Sequence, residues 1–157
     1  MRWSTRCILV IAALLLVGCV TENPDLPRFN VAAASLSPLS PGTTRFFFYR
    51  LLDPNDPSLG TTVYLNDKDV GFSRTGTVFY RDVPPGPYSV TVLSRGQYPN
   101  QFKNVVAQAS QNWYVRITTP APSWSCDPPG CRGDAFVVQV VDPRTAEAEM
   151  APLALAP

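Results

Sequence analysis

From Arg45 onward, apolar residues recur at every second position, in short runs cut by proline, glycine, asparagine and aspartate. Period two is the repeat of a strand with one buried face, and it does not suit a helix. Seventeen prolines and nine glycines in 157 residues exclude a helical bundle. Arg45-Phe46-Phe47-Phe48-Tyr49-Arg50-Leu51 is aromatic on both faces, as a central strand would be. Thr62–Leu65 reads as a short strand ended by Asn66-Asp67-Lys68-Asp69, and Val70-Gly71-Phe72 as the return arm of a hairpin. Further strands are expected at Thr77–Arg81, Tyr88–Val92, Phe102–Ala107, Trp113–Thr118 and Ala135–Val141. Alternation places Val90, Val92, Trp113, Val115, Phe136 and Val138 on one inner face. The fold class expected is all-β: an antiparallel β-sandwich of about seven to eight short strands.

Two helices are expected at the ends. Near the C-terminus Asp142 is placed to cap, Pro143 fits the first helical position, Thr145–Met150 tolerate helix and Pro152 stops it. At the N-terminus, Arg2 and Arg6 precede ten unbroken apolar residues, Ile8–Val17. A membrane span needs about 20 apolar residues, so this run reads as a signal-peptide helix. It ends in Leu16-Val17-Gly18-Cys19, which resembles a bacterial lipobox. The resemblance implies cleavage between Gly18 and Cys19, diacylglycerol on the Cys19 sulfur and acylation of the new amino group. Two or three acyl chains hold a protein stably on a bilayer, where one is marginal. Val20, rather than Asp, follows the cysteine. In Gram-negative lipoproteins that favours the outer membrane, so the expected location is the cell envelope, lipid-anchored, facing the periplasm.

The chain then divides into a signal peptide (1–18), a lipidated tether (19–44), a β-sandwich (45–141) and a short helix with tail (142–157). The tether carries Pro24, Pro27, Pro38 and Pro41 and could span about 80 Å when extended. A short edge strand over Phe29–Ala33 is an option within it.

Val63-Tyr64-Leu65-Asn66-Asp67-Lys68-Asp69-Val70-Gly71, followed by Phe79-Tyr80-Arg81-Asp82-Val83-Pro84-Pro85-Gly86-Pro87-Tyr88-Ser89-Val90-Thr91-Val92, forms a strand–turn–strand and then a proline-glycine turn into an alternating strand. It resembles the pattern of PEGA-like and carboxypeptidase-regulatory-like sandwich domains, which occur in small bacterial lipoproteins. Those families imply a sandwich and supply no catalytic residues. Independently of the resemblance, Gly86 permits a positive φ and the prolines end strand pairing.

The residues offer little for catalysis. The chain has no histidine, so neither a Ser-His nor a Cys-His pair exists, and the commonest metal ligand is missing. The two lysines, Lys68 and Lys103, lie in a turn and on a polar strand. Asp67-x-Asp69-x-Gly71 echoes the start of a calcium loop, but Val78 stands where the bidentate glutamate belongs, so a turn is the better account. No enzyme activity, cofactor or metal site is expected. Near-balanced charge, 13 Lys+Arg against 12 Asp+Glu, argues against a nucleic-acid partner.

After processing, Cys126 and Cys131 are the remaining thiols, in an oxidising compartment. Asp127-Pro128-Pro129-Gly130 between them is turn chemistry, and a disulfide is expected. Tyr49, Tyr64 and Tyr114 fall opposite the apolar set of their strands, and Trp124 lies in a proline-rich loop. These four form a candidate binding surface; alternatively the tyrosines cover a loop or helix. The function expected is a membrane-anchored, non-catalytic module that binds an envelope protein or assists envelope assembly. The second reading is a module that binds glycan or peptidoglycan through the aromatics.

Overall fold

The structure, a computed structural model, describes residues 26–53, 60–94, 101–119 and 136–157. The signal segment with Gly18 and Cys19, the Cys126–Cys131 pair and Trp124 lie outside these residues.

Within them the chain is mostly β, with nine strands in two sheets. The strands are β1 (Thr44–Arg50), β2 (Thr61–Leu65), β3 (Lys68–Ser73), β4 (Thr77–Val83), β5 (Gly86–Val92), β6 (Phe102–Ala107), β7 (Asn112–Thr118), β8 (Val137–Val140) and β9 (Ala154–Leu155). One sheet has the order β8-β7-β1-β4-β9 and the other β3-β2-β5-β6. Each interior strand lies within two residues of its run of alternation. The exclusively antiparallel expectation is corrected. β1 pairs parallel to β7, with Phe47 opposite Tyr114, and β9 pairs parallel to β4. Alternation reports which face a side chain takes; it carries no information about a neighbour's direction.

The sheets face one another across a core of Phe46, Phe48, Val63, Leu65, Phe79, Val90, Val115, Ile117, Phe136 and Val138. Trp113 is a correction to the expected inner set. It is only half-buried, packing against the core's margin, stacked on Phe46 at 6.2 Å between centroids.

A second core lies on the other side of the five-stranded sheet, made of Phe29, Phe47, Tyr49, Val78, Tyr114, Ala146, Met150 and Leu153. It is roofed by two helices, α1 (Phe29–Ala32) and α2 (Pro143–Met150). This explains why all seven residues of β1 are buried: the strand is central in its sheet and covered on both faces. Fully burying each such aromatic contributes about 1.5–3 kcal/mol. α2 begins as expected, with Asp142 accepting from the Thr145 N–H at 3.0 Å and Pro143 in the first turn. Thr145 also holds the Asp142 carboxyl below its ordinary pKa.

The proposed tether shortens. Phe29 is buried and meets Phe47 edge-on at 5.6 Å. The Phe29–Ala33 segment forms a helical turn followed by a 3₁₀ turn (Ala33–Ser35), not an edge strand. It is held by the tail: Phe29 N–H donates to Leu153 O at 2.7 Å, and Leu155 N–H donates to Pro27 O at 2.8 Å. Further on, Arg45 donates through Nε and Nη2 to both Asp82 carboxylate oxygens at 2.6 and 2.7 Å, and through Nη2 to Ser37 O at 3.0 Å. Residues 27–44 and 142–155 thus belong to the folded unit. A Phe29 or Leu153 left in water would forfeit burial that no local pattern signals.

Candidate functional site

The tyrosines expected on one surface are divided by the fold. Tyr49 and Tyr114 are buried beneath α2, which corrects their assignment to a binding surface. The Tyr49 hydroxyl donates to Glu149 Oε2 at 2.6 Å and the Tyr114 hydroxyl to Glu147 Oε1 at 3.0 Å. Arg116 pairs with Glu149 from β7 and donates through Nε and Nη2 to Gln139 Oε1 at 3.0 and 2.7 Å. Burial, then the bonds to Glu149 and Glu147, push both tyrosine pKa values above their ordinary 10.0. These groups fasten a helix whose own eight residues would not hold in isolation.

Beside this network a cleft of about 410 Å³ opens at the ends of β1 and β7, lined by Arg50, Leu52, Asp53, Arg116, Thr118 and Gln139. Its two arginines are committed elsewhere. Arg116 is held by Glu149 and Gln139, and the Arg50 guanidinium lies 4.9 Å above the Phe136 ring centre. Among the described residues there is no group of three or more Cys, Asp or Glu that could hold a metal ion. Nor is any helix among them long and apolar enough to cross a membrane.

The Asp67–Gly71 segment is a turn. Asn66 and Asp67 both take positive φ, 48° and 63°, which is the two-residue geometry whose twist matches a hairpin. Asp69 Oδ1 accepts from the Gly71 N–H at 2.9 Å. Asn66 stitches the hairpin to β5, donating from its backbone N–H to Ser89 O at 2.9 Å and accepting on Oδ1 from Ser89 N–H at 2.8 Å.

Tyr64 belongs to a different surface. Cross-strand partners share a face, so the register defines the outer side of the four-stranded sheet. Phe72 stands opposite Thr62. Asp69, Tyr64, Thr91 and Phe102 form the next row, Ser89 and Asn104 another, and Pro87 and Val106 the last. Leu93, whose N–H donates to Thr62 O, extends the first row. No helix lies over this face among the described residues, in contrast to the five-stranded sheet. Phe72, Leu93, Phe102 and Val106 are 45, 60, 57 and 69% exposed, and Asp69 is the one charge in the four rows. The Arg74 guanidinium lies 5.7 Å from the Phe72 ring centre at the margin of this face. Single exposed apolar residues are ordinary; four on one face are a candidate contact surface. Sequence reasoning found Tyr64 but missed Phe72, Leu93, Phe102 and Val106. The signal was present in β6, where Phe102 and Val106 alternate with Val105 and Ala107, so apolar residues occupy both faces of an edge strand.

Comparison with known proteins gives little further guidance. No family model matches the chain, and no solved structure matches it. A protein of Haemophilus influenzae described as uncharacterized is 25% identical over 119 residues, covering 73% of this chain. The chain spans 66% of that relative's length.

Proposed function

We propose that this chain is a lipid-anchored, non-catalytic interaction module of the bacterial cell envelope, held at the periplasmic side of the outer membrane by acyl chains on Cys19. The free face of the four-stranded sheet docks a protein partner. The observation that carries this reading is the exposure of Phe72, Leu93, Phe102 and Val106 on one face whose four rows hold a single charge, Asp69. The lipobox pattern Leu16-Val17-Gly18-Cys19 supports the anchor. The resemblance of 63–92 to PEGA-like and carboxypeptidase-regulatory-like domains supports a module without catalytic residues. Four strands about 4.8 Å apart and about 20 Å long offer roughly 400 Å², about half the usual area per partner. Contacts of that size are transient ones, so a micromolar partner is expected rather than a permanent one.

One observation favours the glycan reading: the Tyr64 ring stands in a row with Thr91, beside the row of Ser89 and Asn104, so an aromatic platform is bordered by hydroxyl and amide groups. The two readings separate in one experiment. Envelope solubilised in detergent is captured on wild-type protein and on a Phe72→Ser/Phe102→Ser variant, and both are applied to a glycan array. A protein captured by the wild type and lost with the variant, whose circular dichroism is unchanged, supports the proposal. Glycan binding abolished by Tyr64→Ala, with no protein lost in the surface variant, overturns it in favour of the second reading.

A further inference from the structure

The sequence places about 80 Å of extended chain between the lipidated cysteine and the sandwich. The structure removes most of that reach. Pro27 O accepts from Leu155 N–H, Arg28 bridges to Ala154, Phe29 N–H donates to Leu153 O, and Asn30 N–H donates to Ala151 O at 3.2 Å. The chain is therefore fixed to the body from Pro27 onward. Cys19 and Pro27 are eight residues apart, and eight residues cannot exceed about 26–29 Å whatever path they take.

The point of attachment also lies on one side. Pro27 joins the β9 edge of the five-stranded sheet through Leu155, and Phe29, two residues on, joins the helix layer on that sheet's outer face. Layers packed about 10 Å apart put the exposed face of the four-stranded sheet roughly 20 Å beyond that layer. The sheet face that carries Phe72 and Phe102 lies on the opposite side of the sandwich from α1, so α1, which follows Pro27 directly, is the surface nearest the anchor.

The chemistry of α1 itself agrees with a lipid surface, while Arg28 beside it and Asp142, Arg144 and Glu147 at α2 keep exposed charges in the same layer. The residues from Phe29 to Ser35 carry no charge, so they neither repel nor require a particular headgroup. Val31 is 68% exposed on the outside of α1, with Asn30 and Ala34 exposed beside it. An apolar side chain with small polar and apolar neighbours loses nothing at the headgroup boundary and gains partial removal from water.

We infer that the domain rides directly on the membrane that carries its anchor, with the α1 surface around Val31 against the phospholipid headgroups and the Phe72–Phe102 sheet face turned away from it. This rests on acylation of Cys19, proposed above, and deepens it: the anchor sets orientation as well as location. A partner that docks on the sheet face then approaches from the aqueous side, not from the bilayer.

The test uses the full acylated protein in phosphatidylethanolamine/phosphatidylglycerol vesicles containing a headgroup-dansylated lipid. Tryptophan is introduced at two exposed positions in separate variants, Val31→Trp and Phe102→Trp, and energy transfer from the added emission to dansyl is measured against the parent. Intact-mass analysis of the same samples reports acylation. The expected result is loss of most of the emission added at position 31 and little loss of that added at position 102. Equal transfer from both, transfer from neither, or stronger transfer from position 102 in acylated protein overturns the orientation while leaving the anchor standing. An unacylated Cys19 in the mass spectrum overturns the anchor itself, and the orientation with it.

Discussion

Gly71 provides a sharp test of the packing between the hairpin and the core. It sits on β3 opposite Val63, beside a register shift, with φ of 149°. A Cβ built there would lie 2.7 Å from Phe79 Cε2 and 3.1 Å from Cζ. The Phe79 ring cannot retreat freely, since it is 2% exposed and stacks on Phe48 at 5.1 Å. Forcing a methyl against a confined ring costs about 1–3 kcal/mol. The left-handed backbone adds about 1–2 kcal/mol for a residue with a Cβ, and stiffening of the unfolded chain offsets about 0.4–1 kcal/mol. Gly71→Ala should therefore destabilise by about 1–5 kcal/mol. In a domain of this size that lowers Tm by about 4 °C for each kcal/mol. Thermal and urea denaturation of the unacylated Cys19→Ser chain measure it. Combining Gly71→Ala with Phe79→Leu isolates the ring's share, and the double variant should be about 1 kcal/mol more stable than the sum of the singles. A Gly71→Ala protein within about 0.5 kcal/mol of its parent would refute the close approach and the backbone strain together.

Tyr49 and Tyr114 predict an alkaline limit. Their folded pKa values are raised above 10.0, so the unfolded chain releases these protons first. Stability is fully present below about pH 10 and declines above it, and the urea midpoint followed from pH 8 to 11 should show this. A Tyr49→Phe/Tyr114→Phe variant should have a flatter profile, and an identical slope would sink the assignment. Arg45→Lys should cost about 1–2 kcal/mol, because an ammonium cannot reproduce the two-pronged bond to Asp82 while also reaching Ser37 O. The urea midpoint reads this out, and a neutral effect would mean that the pair is merely coincident. Deleting residues 153–157 removes both backbone bonds that hold Pro27 and Phe29. Limited proteolysis should then cut within 26–36 far faster than in the full chain, with strands β1–β8 retained by circular dichroism.

Much of this molecule is written locally. Period-two alternation located the interior strands, because a strand's two faces are sampled by successive residues and one of them must be dry. Asp142-Pro143 marked the start of α2, since a capping carboxylate and a fixed φ act within one turn. Asn66-Asp67 marked the hairpin for the same short-range reason. Tertiary structure alone decided the remainder. The parallel pairing of β1 with β7 joins residues some 67 positions apart, and no side-chain pattern specifies a neighbour's direction. Whether an apolar outer face is roofed or bare is equally non-local. Tyr49 and Tyr114 look like Tyr64 in sequence, yet α2 docks over the first two and nothing among the described residues covers the third. The docking of Phe29 against Phe47 and of Leu155 against Pro27 turned a supposed tether into part of the body. Those contacts arise because burial is a property of surfaces brought together by the whole fold, and a residue's neighbours in sequence do not report it.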